Sequence, residues 1–277
     1  MTSGVNSNNP KYRRPLNDEQ LEVLELLYKF RFGSNNLIAE YFGKNHRAFV
    51  SKRLKILQDQ GFIGKRFDSS HRIQGKPATY YLLPEGARKL QERRSPEDDA
   101  VNIKAIYKDK SVSELFIQHS LDIFATYNQL KAHYGDSLDF FTKSDLASYR
   151  HYPKPLPDVF LSLKAERSIK HFFVEVHEGN QPFFTAVRKV KKYVDYKESG
   201  EWAITETDFP ATLFICESVS LQKRLQKQII KMLSKTLTDD LVFATTTKEE
   251  LGTLKDNAVT WQSASDPNEK LSLQHIS

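Results

Sequence analysis

The sequence predicts a two-domain protein of mixed helix and strand content, of class α+β / α/β. Three helices and a basic hairpin form the first domain, and a core with the element order αβββαβ forms the second. A length of 277 residues is enough for two domains of ordinary size. Apolar residues recur at helical spacing through the first 60 positions, whereas short β-branched and aromatic runs appear later.

The first 94 residues divide into clear elements. Asn17 or Asp18 can cap a helix that runs to Phe30, and Ser34 can cap a second helix, 35–42. A third helix is predicted over 45–60, strands over 62–67 and 78–83 with a polar loop between them, and another helix from residue 84. This order resembles a winged helix-turn-helix, and the resemblance implies a DNA-binding domain at 17–94.

The distribution of charge supports that interpretation. Residues 1–94 contain 18 Lys and Arg against 9 Asp and Glu, whereas residues 95–277 contain 23 against 26. A basic N-terminal third indicates contact with a polyanion, here double-stranded DNA, although a protein-interaction module stays open. The candidate DNA-binding residues lie on the third helix and the hairpin: His46, Arg47, Ser51, Lys52, Arg53, Lys55, Lys65, Arg66, Arg72 and Lys76.

The remaining boundaries follow from composition. We expect a disordered basic tail at 1–16, a linker at 95–110, the second domain at 111–262 and a frayed tail at 263–277. The second domain is predicted to begin with a long helix to about residue 133 and a strand over 138–142.

Two acidic residues are associated with neighbouring apolar runs of the second domain. Asp158 opens the run 159–163, and Glu175 lies inside the run 172–176. An acid in an apolar strand costs several kcal/mol unless it is paired, and two such acids repel unless a cation lies between them. The pair is therefore either a divalent-metal site or two ordinary strand-end acids.

A basic helix is predicted directly after the second strand, from about Pro182, and with it the pattern resembles a known core. The motifs are Pro157-Asp158, then Glu175-Val176-His177-Glu178-Gly179, then Lys189 to Tyr193. They resemble the PD-(D/E)xK nuclease superfamily and, more closely, the replication-relaxation family, over about residues 17–245. His177 stands where that family usually has Asp and where the superfamily usually has Lys.

The resemblance implies a restriction-endonuclease-like core and a site for Mg²⁺ or Mn²⁺. The implied metal ligands are Asp158, Glu175, the carbonyl of Val176 and, on the preceding helix, Glu114. Lys189 or Lys192 would approach the phosphate, and His177 would serve as a ligand or a proton carrier. Relatives by resemblance include plasmid replication and mobilisation proteins, some of them nicking relaxases.

These residues leave three functions open. The first is a DNA-binding protein of plasmid or mobile-element replication and mobilisation with metal-dependent nicking activity. The second is a non-catalytic replication accessory factor with a degenerate site, and the third is a transcriptional regulator. Further replication or mobilisation proteins are expected partners, and the oligomeric state stays open.

Composition excludes several other classes. Cys216 is the only cysteine, so an intramolecular disulfide and a Cys-based zinc site are excluded. No apolar run approaches the roughly 20 residues that span a bilayer, and the expected compartment is the cytoplasm. A P-loop motif and a His-x-His pair are both missing, so any nicking would depend on the carboxylates.

Overall fold

Two units make up the chain in this computed structural model, Met1–Leu121 and Asp122–Ser277. The residues described are 15–43, 47–73, 75–94, 101–165, 168–236, 240–254 and 259–276. The predicted tail at 1–16 therefore lies almost entirely outside the described residues. Among the described helices, none combines the length and the apolar character needed to cross a bilayer.

The first unit consists of short helices and a three-stranded antiparallel sheet with strand order β1-β3-β2. Its helices are α1 (Asp18–Phe30), α2 (Asn35–Tyr41), α3 (Arg47–Asp59), α4 (Ser69–Ile73), α5 (Pro84–Arg93) and α6 (Ile103–Ile106). Its strands are β1 (Phe32–Ser34), β2 (Ile63–Arg66) and β3 (Thr79–Leu82).

Local capping explains where the first helices begin. The Asn17 side chain accepts a hydrogen bond from the Gln20 amide at 2.9 Å, and the Gln20 side chain accepts one from the Asn17 amide at 3.0 Å. This reciprocal arrangement is a capping box, and it satisfies two amides that the helix itself leaves unpaired. Ser34 caps α2 with a single hydrogen bond, which its side chain accepts from the Leu37 amide at 3.3 Å.

Two segments of the first unit differ from expectation. The polar loop after β2 contains α4, because the Asp68 carboxylate accepts from the His71 amide at 3.0 Å and starts a helical turn. The expected linker is wrong for residues 101–110, which carry α6 and a helical turn instead. Ile106 is buried there, and the buried Asp109 pairs with Arg31, so this segment packs on its own unit.

The second unit is built on a seven-stranded sheet with strand order β10-β9-β8-β7-β6-β5-β4. Its strands are β4 (Leu138–Thr142), β5 (Val159–Lys164), β6 (Ile169–His177), β7 (Ala211–Cys216), β8 (Phe243–Thr247), β9 (Trp261–Ser263) and β10 (Lys270–Leu271). The helices along this part of the chain are α7 (Glu114–Tyr134), which crosses the boundary between units, α8 (Lys143–Leu146), α9 (Phe183–Ser199), α10 (Val219–Leu233) and α11 (Lys248–Gly252).

The predicted order αβββαβ is confirmed by α7, β4, β5, β6, α9 and β7, with the short α8 as an addition. The β6–β7 and β7–β8 pairs are parallel, and the other pairs are antiparallel. Parallel neighbours need a crossover, and α9 and α10 provide the two crossovers. Both helices pack on one face of the sheet, in an apolar cluster that includes Phe173, Phe214, Val190 and Leu225.

The expectation of a frayed C-terminal tail is wrong for residues 263–276. β10 pairs with β9 in antiparallel register, and a helical turn follows it. Leu273 and Ile276 are buried, and the Ile276 carbonyl accepts a hydrogen bond from Lys170 at 2.9 Å. Burial of these two side chains holds the segment on the sheet, which a polar sequence without periodicity did not indicate.

Candidate functional site

The register of the sheet places Asp158 and Glu175 side by side. Val159 pairs with Val174 in the antiparallel β5–β6 ladder, so Asp158 lies one step beyond, beside Glu175. Residues opposite each other in an antiparallel pair share a face, and residues two apart in one strand also share a face. Asp158, Glu175 and His177 therefore all lie on the α9 face of the sheet.

Lys189 of α9 joins the two carboxylates. Its Nζ lies 2.8 Å from Asp158 Oδ2 and 2.6 Å from Glu175 Oε2. Because both oxygens contact the same nitrogen atom, the distance between them is at most the sum of the two contact distances, about 5.4 Å. Both acidic side chains are only 1% exposed, so the two carboxylates share one cation in a desolvated setting.

Three further groups complete this ion cluster. Lys143, at the start of α8, contacts Asp158 Oδ1, and the Val176 amide donates to Asp158 Oδ2 at 3.0 Å. Lys192 lies 2.7 Å from Glu175 Oε1, and the Tyr193 hydroxyl donates to the same oxygen at 2.6 Å. Three ammonium groups thus surround two carboxylates, and the cluster carries a net positive charge.

Burial and the carboxylates shift the titration of the α9 side chains in different directions. Burial lowers the pKa of Lys189, but Asp158 and Glu175 together raise it by more than burial lowers it. The pKa of Lys189 is therefore above the ordinary lysine value. Burial lowers the pKa of Lys192 more than Glu175 raises it. Burial, and then Glu175, hold the pKa of Tyr193 well above its usual range, so its hydroxyl stays a donor. Lys189 is therefore the firmly protonated cation of the cluster.

The side chain of His177 is fully buried two positions beyond Glu175. Burial lowers its pKa, and the nearby Lys189 lowers it further, so the imidazole is neutral at physiological pH. The Gln181 side chain acts in the opposite direction and raises that pKa, but neither ring nitrogen has a hydrogen bond of ordinary geometry within the described structure. A neutral, unsatisfied imidazole retains the lone pair that metal ligation or proton transfer requires.

The backbone of Val176 faces the same cluster. The amide and the carbonyl of one strand residue point to the same side of the strand. Because the Val176 amide donates to Asp158, its carbonyl is also directed to the β5 side of β6. The His177 carbonyl is directed to the other side, where it accepts from the Glu217 amide at 3.2 Å.

The donor set suits a hard divalent cation. Asp158, Glu175 and the Val176 carbonyl offer oxygen atoms, which Mg²⁺ and Mn²⁺ prefer. The contact between Lys189 and Glu175 Oε2 is short, but that oxygen receives no well-angled hydrogen bond, so it retains a lone pair for a cation. Within the described part of the chain, no three His, Cys, Asp or Glu side chains converge as metal ligands. Metal binding therefore stays a prediction, and it must compete with Lys189.

Glu114 has other partners. Its carboxylate accepts from Arg66 at 2.7 Å, and it lies 3.5 Å from the His71 ring. Both contacts are within the first unit, and they occupy the oxygens that the sequence interpretation assigned to a metal ion. We therefore leave Glu114 out of the proposed metal site.

The predicted DNA-binding residues fall into three groups. Side chains on the surface of the first unit are Ser51, Lys52, Lys55, Lys65, Arg72 and Lys76. Lys55 is paired with Asp59 at 3.1 Å, a solvent-exposed pair one helical turn apart, and Ser51 bonds to Asn35. His46 and the side chain of Arg47 lie outside the described residues.

Two predicted DNA-binding residues also make contacts within their own unit. The Arg53 guanidinium lies 3.1 Å from the centre of the Phe49 ring and pairs with Glu19. Arg66 donates to the Val112 carbonyl and to Glu114, each at 2.7 Å. These contacts hold both side chains against their own unit, and contact of Arg53 or Arg66 with DNA stays a prediction.

Two members of the ion cluster are not among the site residues predicted from sequence. Lys143 is one of them, although Thr142 pairs with Val159 and the next residue must therefore lie near Asp158. Tyr193 is the other, although it follows Lys189 by one helical turn. The register of the β4–β5 hairpin and the helical spacing of α9 were the signals that could have identified them.

Comparison with known proteins gives a family and weak structural similarity. The model of the family described as "Replication-relaxation" matches residues 24–212. No curated protein matches. Among solved structures, the restriction endonuclease FokI is similar at 12% identity and a TM-score of 0.35, over 87% of this chain and 44% of that one. FokI bound to DNA is similar at 12% identity and a TM-score of 0.30, over 87% and 45%.

The chain thus spans less than half the length of the FokI chains. The family match, in contrast, extends from α1 through the ion cluster to β7, well over half of the chain. It supports a replication- or mobilisation-related role in DNA processing. This chain is a member of the replication-relaxation family.

Proposed function

We propose that this protein binds double-stranded DNA of a plasmid or mobile element through its first unit and nicks it at a divalent-metal site in its second unit. The first unit acts as a winged helix-turn-helix domain, with α3 in the major groove and the β2–β3 hairpin along the backbone. The cytoplasm is the compartment in which such DNA is replicated and mobilised.

One observation carries the nicking proposal. Asp158 and Glu175 are buried side by side and share one cation, the Lys189 ammonium. Buried acids are costly, and two of them at this distance need a positive charge between them. A strand pair that maintains this arrangement provides the charge and the spacing that one Mg²⁺ or Mn²⁺ ion requires.

The chain's own residues would divide the remaining work. Asp158, Glu175 and the Val176 carbonyl would hold the ion, which supplies Lewis-acid stabilisation of the phosphate and an activated water. Lys189, Lys192 and Lys143 keep the cluster positive, which favours a phosphate beside it. His177, neutral and buried, is placed to accept a proton.

The non-catalytic alternative is supported by the same cluster. Three lysines already compensate the two carboxylates, so the fold does not need a metal ion to bury them. In that case the second unit would contribute to binding DNA or a partner protein, and His177 would mark a site that has lost its chemistry.

A nicking assay separates these two functions. Supercoiled plasmid carrying the DNA that flanks the coding sequence should be converted to open circles with Mg²⁺ or Mn²⁺ and not with EDTA. Glu175→Gln and Asp158→Asn should each abolish conversion and leave duplex affinity unchanged. The two residues act as a unit, so the double variant should be little worse than either single one.

Asp195→Asn is the matched control for these variants. It makes the same acid-to-amide change on α9, but Asp195 is half-exposed and pairs with Lys191 outside the cluster. It should nick as the wild type does. If the wild type binds the plasmid but no divalent ion produces open circles, the nicking proposal fails and the non-catalytic alternative replaces it.

A further inference from the structure

A groove between α9 and α10 is not used by the proposed nicking site. Its volume is about 710 Å³, and it is lined by Phe183, Phe184, Val187, Arg188, Arg224 and Gln228. Both helices belong to the second unit and pack against each other on one face of the sheet. The lining combines aromatic rings with arginines and contains no acidic residue.

Each arginine lies over a phenyl ring. The Arg224 guanidinium is 3.8 Å from the centre of the Phe183 ring, and the Arg188 guanidinium is 4.8 Å from the centre of the Phe184 ring. Phe184 is 53% exposed, which is unusual for an aromatic side chain beside an available core. Flat cations and exposed rings are the surfaces on which unpaired nucleic-acid bases stack.

The charge around the groove favours a polyanion over a protein. α10 carries four basic residues, Lys223, Arg224, Lys227 and Lys231, and no Asp or Glu. A groove meant for an ordinary apolar protein surface would not need this excess, whereas a phosphate backbone does.

The exposed aromatic face also distinguishes the form of nucleic acid. In a duplex the base faces are stacked on each other, so they cannot reach a ring at the bottom of a groove. Only unpaired bases can stack there. The occupant that fits both the rings and the charge is a single strand.

The groove and the ion cluster lie on opposite flanks of the same helix. Successive residues of an α-helix are about 100° apart, so Lys189 and Lys192 point to one flank of α9, and Phe183 and Val187 point to the other. Arg188 lies on the exposed side between them. A strand that leaves the ion cluster can therefore cross α9 at Arg188 and enter the groove.

We propose that this groove binds single-stranded DNA, with a base stacked on Phe184 and phosphates near Arg188 and Arg224. The proposal rests on the DNA-processing role proposed above, and it assigns the groove to the strand that a nick or a melted origin makes available. It does not require the metal site to be active.

The test is equilibrium binding of a fluorescent oligo(dT) to the full chain in EDTA, followed by anisotropy. Removing one stacking partner costs about 1–3 kcal/mol per base, so Phe184→Ala should weaken binding roughly 5- to 150-fold. That loss should persist at high salt, because stacking is not electrostatic. Arg224→Ala should weaken binding more than Lys223→Ala, which removes the same charge from the neighbouring position outside the groove.

Two controls keep the result interpretable. Ile204→Ala removes an exposed apolar side chain of the same unit outside the groove, and it should leave oligo(dT) affinity unchanged. Duplex binding should also be unchanged in Phe184→Ala, because the proposed duplex contacts lie in the first unit. Since EDTA prevents nicking, a failure of the metal site cannot mimic a failure of the groove.

Two outcomes would overturn the proposal. One is wild-type affinity for oligo(dT) in Phe184→Ala, which would leave a protein partner as the alternative occupant. The other is an equal loss in Lys223→Ala and Arg224→Ala that disappears at high salt, which would indicate general electrostatic attraction without a stacking site.

Discussion

Replacing Lys189 by Met tests whether a metal ion can take the place of the shared ammonium. The substitution keeps a flexible apolar side chain on α9 and removes the cation between Asp158 and Glu175. Lys143 and Lys192 still contact the outer oxygens, so the carboxylates are left partly compensated. In wild-type protein Lys189 is 22% exposed, and both acids are 1% exposed.

The expected cost follows from that burial. Removing one partner of a buried ion pair costs about 3–5 kcal/mol, and the remaining lysines place this case near 3 kcal/mol. For a domain of 150–250 residues, each kcal/mol lost from the free energy of unfolding lowers the Tm by about 2–4 °C. We therefore expect the Tm to fall by about 6–12 °C. Lys191→Met is the control, because Lys191 lies on the exposed side of α9 and pairs only with Asp195 in the described structure; it should cost at most about 0.5 kcal/mol.

A divalent ion should restore the Lys189→Met variant. Mn²⁺ or Mg²⁺ at 100 times its dissociation constant should return about 2.7 kcal/mol, because binding to the folded state alone stabilises it. Thermal unfolding at several ion concentrations measures this effect.

The stability of the wild-type protein depends on pH through Lys189. The pKa of Lys189 is raised in the folded state, so its contribution is complete below the ordinary value of 10.5 and is lost as the pH rises through the folded pKa. If Lys189→Met melts at the same temperature as Lys191→Met, the shared-cation account is refuted. If it melts lower but no divalent ion restores it, the cluster is a structural ion network without a metal site.

Three smaller predictions address the remaining assignments. Replacing Lys52 and Lys55 together by Ala should weaken duplex binding. A salt titration should also show that the slope of log K against log salt falls by about 0.9 per lost contact. Arg53→Ala, in contrast, should chiefly lower the Tm. His177→Ala should slow nicking about 10²-fold or more if the imidazole transfers a proton in the reaction. Because burial lowers the pKa of His177, nicking by the wild type should persist below pH 6.5. Single-turnover rates measure both effects. Tyr193→Phe keeps the buried ring and loses the donor to Glu175, so chemical denaturation should show a loss of about 1.5–3 kcal/mol; an unchanged midpoint would mean that this hydrogen bond contributes nothing.

The pair of acids could be predicted from sequence because local information was sufficient. The sequence contains two apolar runs of strand length, each with one carboxylate. Once these strands pair in antiparallel register, both carboxylates lie on the same face of the sheet, the face that α9 covers. The basic helix followed from its 3.6-residue spacing, whereas the approach of Lys189 or Lys192 to the site was implied by the family resemblance. Strand register and helical period depend on residues close together in the sequence, so they can be predicted without knowledge of the tertiary fold.

The errors arose where tertiary contacts decide. Helical spacing cannot show that Arg53 folds back over Phe49, or that Arg66 and Glu114 pair across 48 positions of sequence. Lys143 required the register of a hairpin with a long connection. The segments 101–110 and 263–276 lack periodicity, and tertiary contacts such as the Arg31–Asp109 ion pair and the burial of Leu273 hold them in place.

The most direct test of the central claim is a crystal structure of the full chain grown with Mn²⁺ and measured at the manganese absorption edge. We expect an anomalous peak between Asp158 Oδ2 and Glu175 Oε2, within about 2.0–2.6 Å of an oxygen of each, with the Lys189 ammonium displaced from that position. No peak at saturating Mn²⁺, with Lys189 still bridging the two carboxylates, would contradict it.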